Sequence, residues 1–170
     1  MNARHTVVDT RLGPLTLVAD DGALTGIYFP GHWTKPDDTA WGERIEAGED
    51  AVFGQTHAQL EQYFDGERTA FDLPLAPVGS EFQQRVWAVL ERIPFGQTVT
   101  YGQIAGEIGG RTVAQMVGQA VGHNPVSIVI PCHRVVGADG SLTGYAGGLE
   151  RKLFLLELEE PPEVKASKLF

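Results

Sequence analysis

The sequence predicts an α/β fold in two parts: a small N-terminal α/β domain (residues 1–78) and a mainly helical C-terminal domain (residues 79–170) with a helix-turn-helix. Alternating apolar residues joined by turn residues open the chain, which favours strands. Further along, two helix-start signals lie on either side of a Gly-Gly turn, as in a helix-turn-helix. The extended segment FDLPLAPVG separates these two patterns, so we place the domain boundary there.

The first thirty residues predict a β-meander. The strand candidates HTVVDT, LTLVA and ALTGIYF are connected by Leu12-Gly13-Pro14 and Asp20-Asp21-Gly22. Residues 30–50 are rich in Gly, Pro and Asp and predict a long exposed loop. A helix follows, because apolar and aromatic residues recur at helical spacing until Asp65-Gly66 ends the pattern.

The C-terminal half carries three S/T-x-x-Q patterns that predict capping boxes at helix starts: Ser80–Gln83, Thr100–Gln103 and Thr112–Gln115. The second of these helices ends near Gly109-Gly110, and the third would form the recognition helix. A short apolar strand is predicted over Ser127–Ile130, and a last helix over Leu149–Glu159.

The charge is unevenly distributed. The net charge of −9 argues against a nucleic-acid partner. Residues 1–79 hold 5 Lys and Arg against 13 Asp and Glu, whereas residues 80–170 hold 8 against 9. The C-terminal half is therefore nearly neutral and permits contact with a polyanion.

The N-terminus has no long apolar run, and one cysteine excludes an internal disulfide framework. We therefore expect a cytoplasmic protein with no membrane contact. The five histidines show no ligand-pair spacing, so no metal site is expected.

Cys132 is the candidate nucleophile. A lone cysteine is ordinarily a buried small hydrophobe. Here Pro131 precedes it, and His133 and Arg134 follow it, and either of these two favours a thiolate. A thiolate paired with a histidine that a carboxylate orients is a recurrent nucleophile arrangement. The residues alone leave the carboxylate open among three candidates, which are Glu107, Glu157 and Glu159.

Several motifs together resemble the O6-alkylguanine-DNA alkyltransferases, the methylated-DNA–protein-cysteine methyltransferases. They are Asn124-Pro125, IPCHRV at 130–135, GYxGG at 144–148, Lys152-x-x-Leu155-Leu156, and upstream FQQRVWAVLERIPFGQTVTYGQIA. The resemblance is close from about residue 79 to residue 159. In the N-terminal half it extends only to the β-meander and the length, and it implies a ribonuclease-H-like fold there.

The resemblance implies DNA repair by a single-use enzyme without a cofactor. Such a protein binds double-stranded DNA, flips the O6-alkylguanine out of the stack and moves its alkyl group irreversibly to the cysteine. O4-alkylthymine is a second candidate substrate. We expect a monomer, with cooperativity on DNA left open.

The resemblance also implies roles for individual residues. In the catalytic set, Cys132 is the acceptor, His133 deprotonates it through a water, Glu159 orients the imidazole, Asn124 braces the site, and Tyr101 protonates the leaving base. The residues implied to bind the base are Val135, Ala146, Tyr145 and Gly147. The residues implied to contact DNA are Gln115, Met116, Arg111, Thr112 and Arg134.

One position departs from the family pattern. Gln115 stands where the family has an arginine that fills the space left by the flipped base, and Met116 stands where a small residue is usual. Glutamine lacks the charge and the stacking plane of a guanidinium. We therefore expect conserved transfer chemistry with weakened or altered base extrusion.

Two alternatives stay open at this point. A lesion sensor that flags damage without repairing it fits Gln115 but not Cys132. A thiol alkyltransferase acting on a free base or another small donor keeps Cys132 and dispenses with duplex DNA.

Overall fold

The computed structural model describes residues 3–31, 38–161 and 163. The N-terminal half contains a four-stranded sheet in the order β3-β2-β1-β4. Strands β1 (Arg4–Thr10), β2 (Gly13–Asp20) and β3 (Ala23–Tyr28) form the expected antiparallel meander, and β4 (Glu43–Arg44) pairs with β1 in parallel. Alternate side chains of β1 are buried, because successive residues of a strand point to opposite faces. In β2, Val18 is buried as well as its neighbours, because it packs with Tyr28 and Trp41 in a second cluster.

Helix α1 (Ala51–Phe64) packs against this sheet. Its N-cap is Asp50, whose carboxylate accepts hydrogen bonds from the backbone N–H groups of Val52 and Phe53. The helix agrees with the predicted spacing and ends before Asp65 and Gly66.

The prediction that residues 30–50 form a long exposed loop is correct in exposure for most of the described residues, but it missed three short elements. Residues 32–37 lie outside the described part of the chain. Beyond them the chain forms a 3₁₀ turn (Asp38–Trp41), strand β4 and a second 3₁₀ turn (Ala47–Glu49). Trp41 is buried because its ring stacks on Tyr28 at a centroid distance of 5.5 Å.

The C-terminal half begins with α2 (Glu81–Glu91), then β5 (Val99–Thr100) and α3 (Tyr101–Ile108). Both helices have the predicted capping boxes, at Ser80–Gln83 and Thr100–Gln103. Helix α4 (Ala114–Gly122) packs against α3 across the Gly109-Gly110 turn and completes the helix-turn-helix.

The capping box predicted at Thr112–Gln115 is wrong. The N-cap of α4 is Val113, one residue later, with no side-chain cap. Thr112 instead donates its backbone N–H to the Gly109 carbonyl, which closes the turn between the helices. The first helical hydrogen bonds of α4 consequently run to the carbonyl of Val113.

The strand predicted over Ser127–Ile130 is also wrong, because these residues form a tight turn. The N–H of Val129 donates to the Ser127 carbonyl and the N–H of Ile130 to the Val126 carbonyl. The segment is apolar because Val126, Ile128 and Ile130 are all buried, not because it alternates in a sheet. A 3₁₀ turn (Cys132–Arg134), strand β6 (Val135–Val136) paired with β5, and helix α5 (Leu149–Leu158) complete the fold.

The two halves share one continuous hydrophobic cluster, with Ile27 and Phe53 from the first half and Trp87 and Ile130 from the second. The N–H of Ile27 donates to the Pro125 carbonyl, so the edge of β3 binds the segment before the 127–130 turn. This contact anchors the segment that leads to Cys132. The boundary near residue 78 stays a prediction.

Candidate active site

Cys132 begins the 3₁₀ turn that follows the buried 127–130 turn, and it is 5% exposed. Ile128 in that turn has φ of 73°, in the left-handed region that a β-branched residue rarely adopts. Backbone of this kind costs on the order of 1–3 kcal/mol and is retained only where the surroundings enforce it. The surroundings here hold Cys132 in a fixed place.

Asn124 is the residue that holds this turn, as the predicted bracing role requires. Its Nδ2 donates to the Ile130 carbonyl at 2.8 Å, and its Oδ1 accepts from the N–H of Val126 at 3.0 Å. Burial raises the pKa of the Cys132 thiol, while a hydrogen bond from Asn124 and the charge of Lys152 act in the opposite direction. At neutral pH the sulfur therefore needs a base to become a thiolate.

His133 and Glu159 form a buried pair directly beside Cys132 in the chain. His133 Nε2 lies 2.8 Å from Glu159 Oε2, and both side chains are almost completely buried. Burial lowers the pKa of His133, against the opposing effect of Glu159. The imidazole is therefore neutral near pH 7. Since an ionised carboxylate only accepts, Nε2 is the donor, and Nδ1 is left with no hydrogen-bond partner among the described residues.

Glu159 follows the last residue of α5, and its carboxylate binds three other side chains of the site. Arg134 binds it with two nitrogens, Nε to Oε1 at 2.7 Å and Nη2 to Oε2 at 2.9 Å. Tyr63 of α1 donates its hydroxyl to Oε2 at 2.5 Å. Burial raises the pKa of Glu159, but the hydrogen bonds from His133 and Arg134 and the positive charge of Arg134 outweigh it and lower the pKa to about 2. Glu159 is therefore ionised at neutral pH.

The predicted DNA contact of Arg134 is wrong. Its side chain is buried, and its third nitrogen, Nη1, donates to the Ile93 carbonyl at 2.6 Å. Because Nε and Nη2 bind Glu159, all three nitrogens of the guanidinium donate to groups inside the protein. The resemblance implied the DNA contact, but the buried carboxylate of Glu159 draws the Arg134 side chain inward.

Tyr101 lies at the start of α3, half-buried, with its ring close to Gly118 of α4. Its hydroxyl is 2.6 Å from Thr143 Oγ1. Burial raises the pKa of Tyr101, the hydrogen bond with Thr143 lowers it, and the charge of Cys132 raises it. The phenol is thus close enough to Cys132 for a charge on the sulfur to affect its pKa.

The four predicted base-binding residues lie on two segments near Cys132. Val135 is buried, and its carbonyl already accepts from Lys152 Nζ at 2.6 Å. Tyr145 and Ala146 are buried, and the Tyr145 hydroxyl is near enough to Cys132 for the two to influence each other's pKa.

Gly147 has a packing role that the sequence did not indicate. A Cβ at this position would lie 2.4 Å from the ring of Phe29, so the absence of a side chain lets the N-terminal half pack there. The base-binding role that the resemblance implies for Gly147 stays a prediction.

The predicted DNA-contact residues other than Arg134 lie at the start of α4 or just before it. Arg111, Gln115 and Met116 are exposed, and Thr112 is partly exposed. Val113 and Met116 are unusually exposed for apolar residues, at 54% and 42%. This end of α4 therefore presents an apolar tip flanked by polar side chains.

Lys152 and Tyr63 belong to the site, although no role was predicted for either. Lys152 is fully buried, and its Nζ reaches Val135 and Thr143. Burial lowers its pKa to about 8. Lys152 lies in the Lys152-x-x-Leu155-Leu156 motif, so the sequence could have indicated a cation in the site. Tyr63 was not detectable, because nothing in α1 indicates a partner 96 residues away.

In the described part of the chain, no three His, Cys, Asp or Glu side chains are grouped as metal ligands. None of the described helices combines the length and the apolar character needed to cross a bilayer.

The fold and the site define a buried thiol, followed in the chain by a buried histidine–carboxylate pair, in the half of the chain that holds the helix-turn-helix. Residues 3–77 match the ribonuclease-like domain of 6-O-methylguanine DNA methyltransferase, and residues 81–161 match its DNA-binding domain. The chain belongs to the 6-O-methylguanine DNA methyltransferase family. The predicted family and the predicted fold class are confirmed.

The relatives cover nearly the whole chain. A methylated-DNA–protein-cysteine methyltransferase of Mycolicibacterium paratuberculosis is 47% identical over 166 residues, which is 98% of both chains. One from Methanosarcina acetivorans is 44% identical and covers 91% of this chain and 97% of its own. The crystal structure of Mycobacterium tuberculosis OGT in complex with DNA is 44% identical, with a TM-score of 0.85 over 92% of this chain and 93% of that one.

Proposed function

We propose that this chain repairs alkylated DNA by moving the O6-alkyl group of guanine directly to Sγ of Cys132. The single observation that carries the assignment of the acceptor is the Cys132–His133–Glu159 arrangement. A buried thiol is followed in the chain by a histidine that Glu159 orients, in a family whose relatives are methylated-DNA–protein-cysteine methyltransferases.

His133 is the base in this proposal. The bond from Nε2 to Glu159 fixes the tautomer and leaves the lone pair of Nδ1 available. Nδ1 takes the proton of the Cys132 thiol through a bridging water. Glu159 acts as a positioning residue and stabilises the imidazolium that forms.

The transfer itself is a displacement at the alkyl carbon. A bond forms between that carbon and the Cys132 sulfur, while the bond from the carbon to O6 breaks and its electron pair stays on guanine. Tyr101 donates its proton to the base ring as this charge develops. The thioether has no leaving group to regenerate the thiol, so each molecule acts once.

The helix-turn-helix presents this site to DNA. The first turn of α4, with Gln115 and Met116, enters the duplex near the lesion, and Arg111 contacts a phosphate. Flipping is required because O6 is shielded inside the stack. All the named groups come from one chain, so the proposed reaction needs no second copy.

Two other functions are less well supported. A sensor would not need an acceptor thiol, and the relatives named above are methyltransferases. Reaction with a free base would leave the exposed residues of α4 without a partner. Gln115 remains the one feature that favours either of them.

The test counts methyl groups removed from DNA. A duplex carrying one O6-methylguanine is mixed in excess with the chain, and the remaining lesion is quantified after hydrolysis of the DNA. We expect one lesion lost per chain and none with Cys132→Ser. Loss of many lesions per chain would contradict single use, and binding without loss would indicate the sensor.

A further inference from the structure

Thr143 lies between two groups of the site that the sequence does not connect. Its Oγ1 is 2.6 Å from the Tyr101 hydroxyl and 3.5 Å from Lys152 Nζ, and its carbonyl is 3.4 Å from the same nitrogen. Lys152 is completely buried, and the proposed transfer chemistry gives it no part. The three side chains form a line from a buried cation to the proposed acid.

The cation leaves the proton of Thr143 available for Tyr101. An ammonium group only donates, so Thr143 Oγ1 accepts from Lys152 with one of its two lone pairs and can donate its own proton to the Tyr101 oxygen. When Thr143 donates, the Tyr101 proton can point away from Thr143, toward a base bound beside Cys132.

We propose that Thr143, oriented by Lys152, is a positioning residue that prepares Tyr101 to protonate the departing guanine. The proposal rests on the proposed function, because it concerns the acid in that reaction. A Thr143 hydroxyl that donates to Tyr101 stabilises the phenolate left after proton transfer. Burial raises the pKa of Tyr101, and the hydrogen bond with Thr143 acts against that rise.

The step forms one bond, breaks one bond and transfers one proton. The bond from sulfur to carbon forms, the bond from carbon to O6 breaks, and the electron pair remains on guanine. One proton passes from the Tyr101 oxygen to a ring nitrogen. The phenolate keeps its bond from Thr143 and the nearby charge of Lys152. Because the chain reacts once, the phenolate can recover a proton from water after the base leaves.

The experiment compares two methyl donors that differ in their leaving group. Duplex O6-methylguanine needs a proton on its leaving base, whereas methyl iodide releases iodide, which needs none. Both methylate Cys132, and a Cys132 peptide measured by mass spectrometry reports both rates. The variants are Thr143→Val, which keeps the shape and removes the hydroxyl, and Thr143→Ser, which restores the hydroxyl. Ser141→Ala is the matched control, because it removes an exposed hydroxyl that bonds Asp139 in the same loop.

We expect Thr143→Val to slow transfer from DNA by about tenfold or more, as for the weakening of a general acid. Its rate with methyl iodide should stay within about twofold of the wild type, and Thr143→Ser should recover most of the rate with DNA. Equal rates of wild type and Thr143→Val on DNA would overturn the proposal, as would equal slowing with both donors. If the wild type takes no methyl from DNA but reacts with methyl iodide, the proposed function itself fails.

Discussion

Tyr63 of α1 donates its hydroxyl to Oε2 of Glu159, the same oxygen that lies 2.8 Å from His133 Nε2. The residues are 96 positions apart, and they tie the N-terminal half to the carboxylate of the candidate site. The helical half alone would lack this donor. The N-terminal half therefore helps to hold the histidine that stands next to Cys132.

Removing this hydroxyl should weaken the protein without disturbing its packing. Tyr63→Phe keeps the ring contacts with Phe64 and Phe71 but takes one donor from a buried carboxylate. We expect a loss of about 2 kcal/mol in the free energy of unfolding at pH 7, measured in urea.

The loss in the free energy of unfolding caused by Tyr63→Phe should become smaller as the pH falls. The pKa of Glu159 is about 2 in the folded protein, below its unfolded value, so its stabilising effect is complete above about pH 4.5 and disappears as the pH falls toward 2. The difference between wild type and Tyr63→Phe should shrink over that window. A difference that stays constant from pH 7 to pH 2.5 would show that Glu159 is not involved.

The fall in the rate of methyl transfer on acidification should have its midpoint below pH 6.5. His133 acts as a base only when neutral, and burial lowers its pKa from the usual 6.5, so half of the imidazole is protonated only at a lower pH. Single-turnover rates between pH 5 and pH 8 measure this. His133→Asn should be slower throughout and should lack the acid limb. A midpoint at or above pH 6.5 in the wild type would contradict the assignment.

Lys152 should make the protein gain stability as the pH rises above about 8. Its pKa is lowered to about 8 in the folded chain, against about 10.4 when unfolded. Between these values the unfolded chain binds the proton more tightly, so the free energy of unfolding increases with pH.

The comparison protein for this prediction is Lys152→Met, because Met fills similar space without a charge. Urea unfolding at pH 7.5 and pH 9.5 should show the wild type gaining roughly 2 kcal/mol relative to the variant. Parallel changes in both proteins would mean that Lys152 keeps an ordinary pKa.

Gln115→Arg should accelerate repair of duplex DNA and leave reaction with a free O6-substituted guanine unchanged. The guanidinium adds a charge and a stacking plane at the exposed start of α4, which assist extrusion of the base but not the transfer. Gln119→Arg adds the same charge one turn later and serves as the control. Unchanged rates on the duplex, or equal gains with Gln119→Arg, would show that position 115 has no special part in extrusion.

Local signals account for what could be predicted of the fold. The boxes at Ser80 and Thr100 each need only four residues, and the meander needs only alternation and turns. The 127–130 segment could not be read in this way. Its apolar residues are buried from several sides, and burial alone does not distinguish a strand from a packed turn.

The site, too, has residues that local motifs could predict and residues that they could not. Cys132, His133 and Asn124 stand in short motifs, and the structure places them together with the Glu159 that the resemblance indicated. The contacts of Arg134, Tyr63 and Thr143 could not be predicted, because no spacing in the chain encodes them. Arg134 and Tyr63 both bind the buried carboxylate of Glu159, and Tyr63 does so from a helix of the other half. Thr143 contacts the buried cation of Lys152.

The most direct test of the account is the mass of the Cys132 peptide after the chain reacts with a duplex containing one O6-methylguanine. We predict a gain of one methyl group on Cys132, complete at one lesion per chain, with no other peptide changed. A methyl group on another residue, or repaired DNA with unmodified Cys132, would contradict the claim that this thiol is the acceptor.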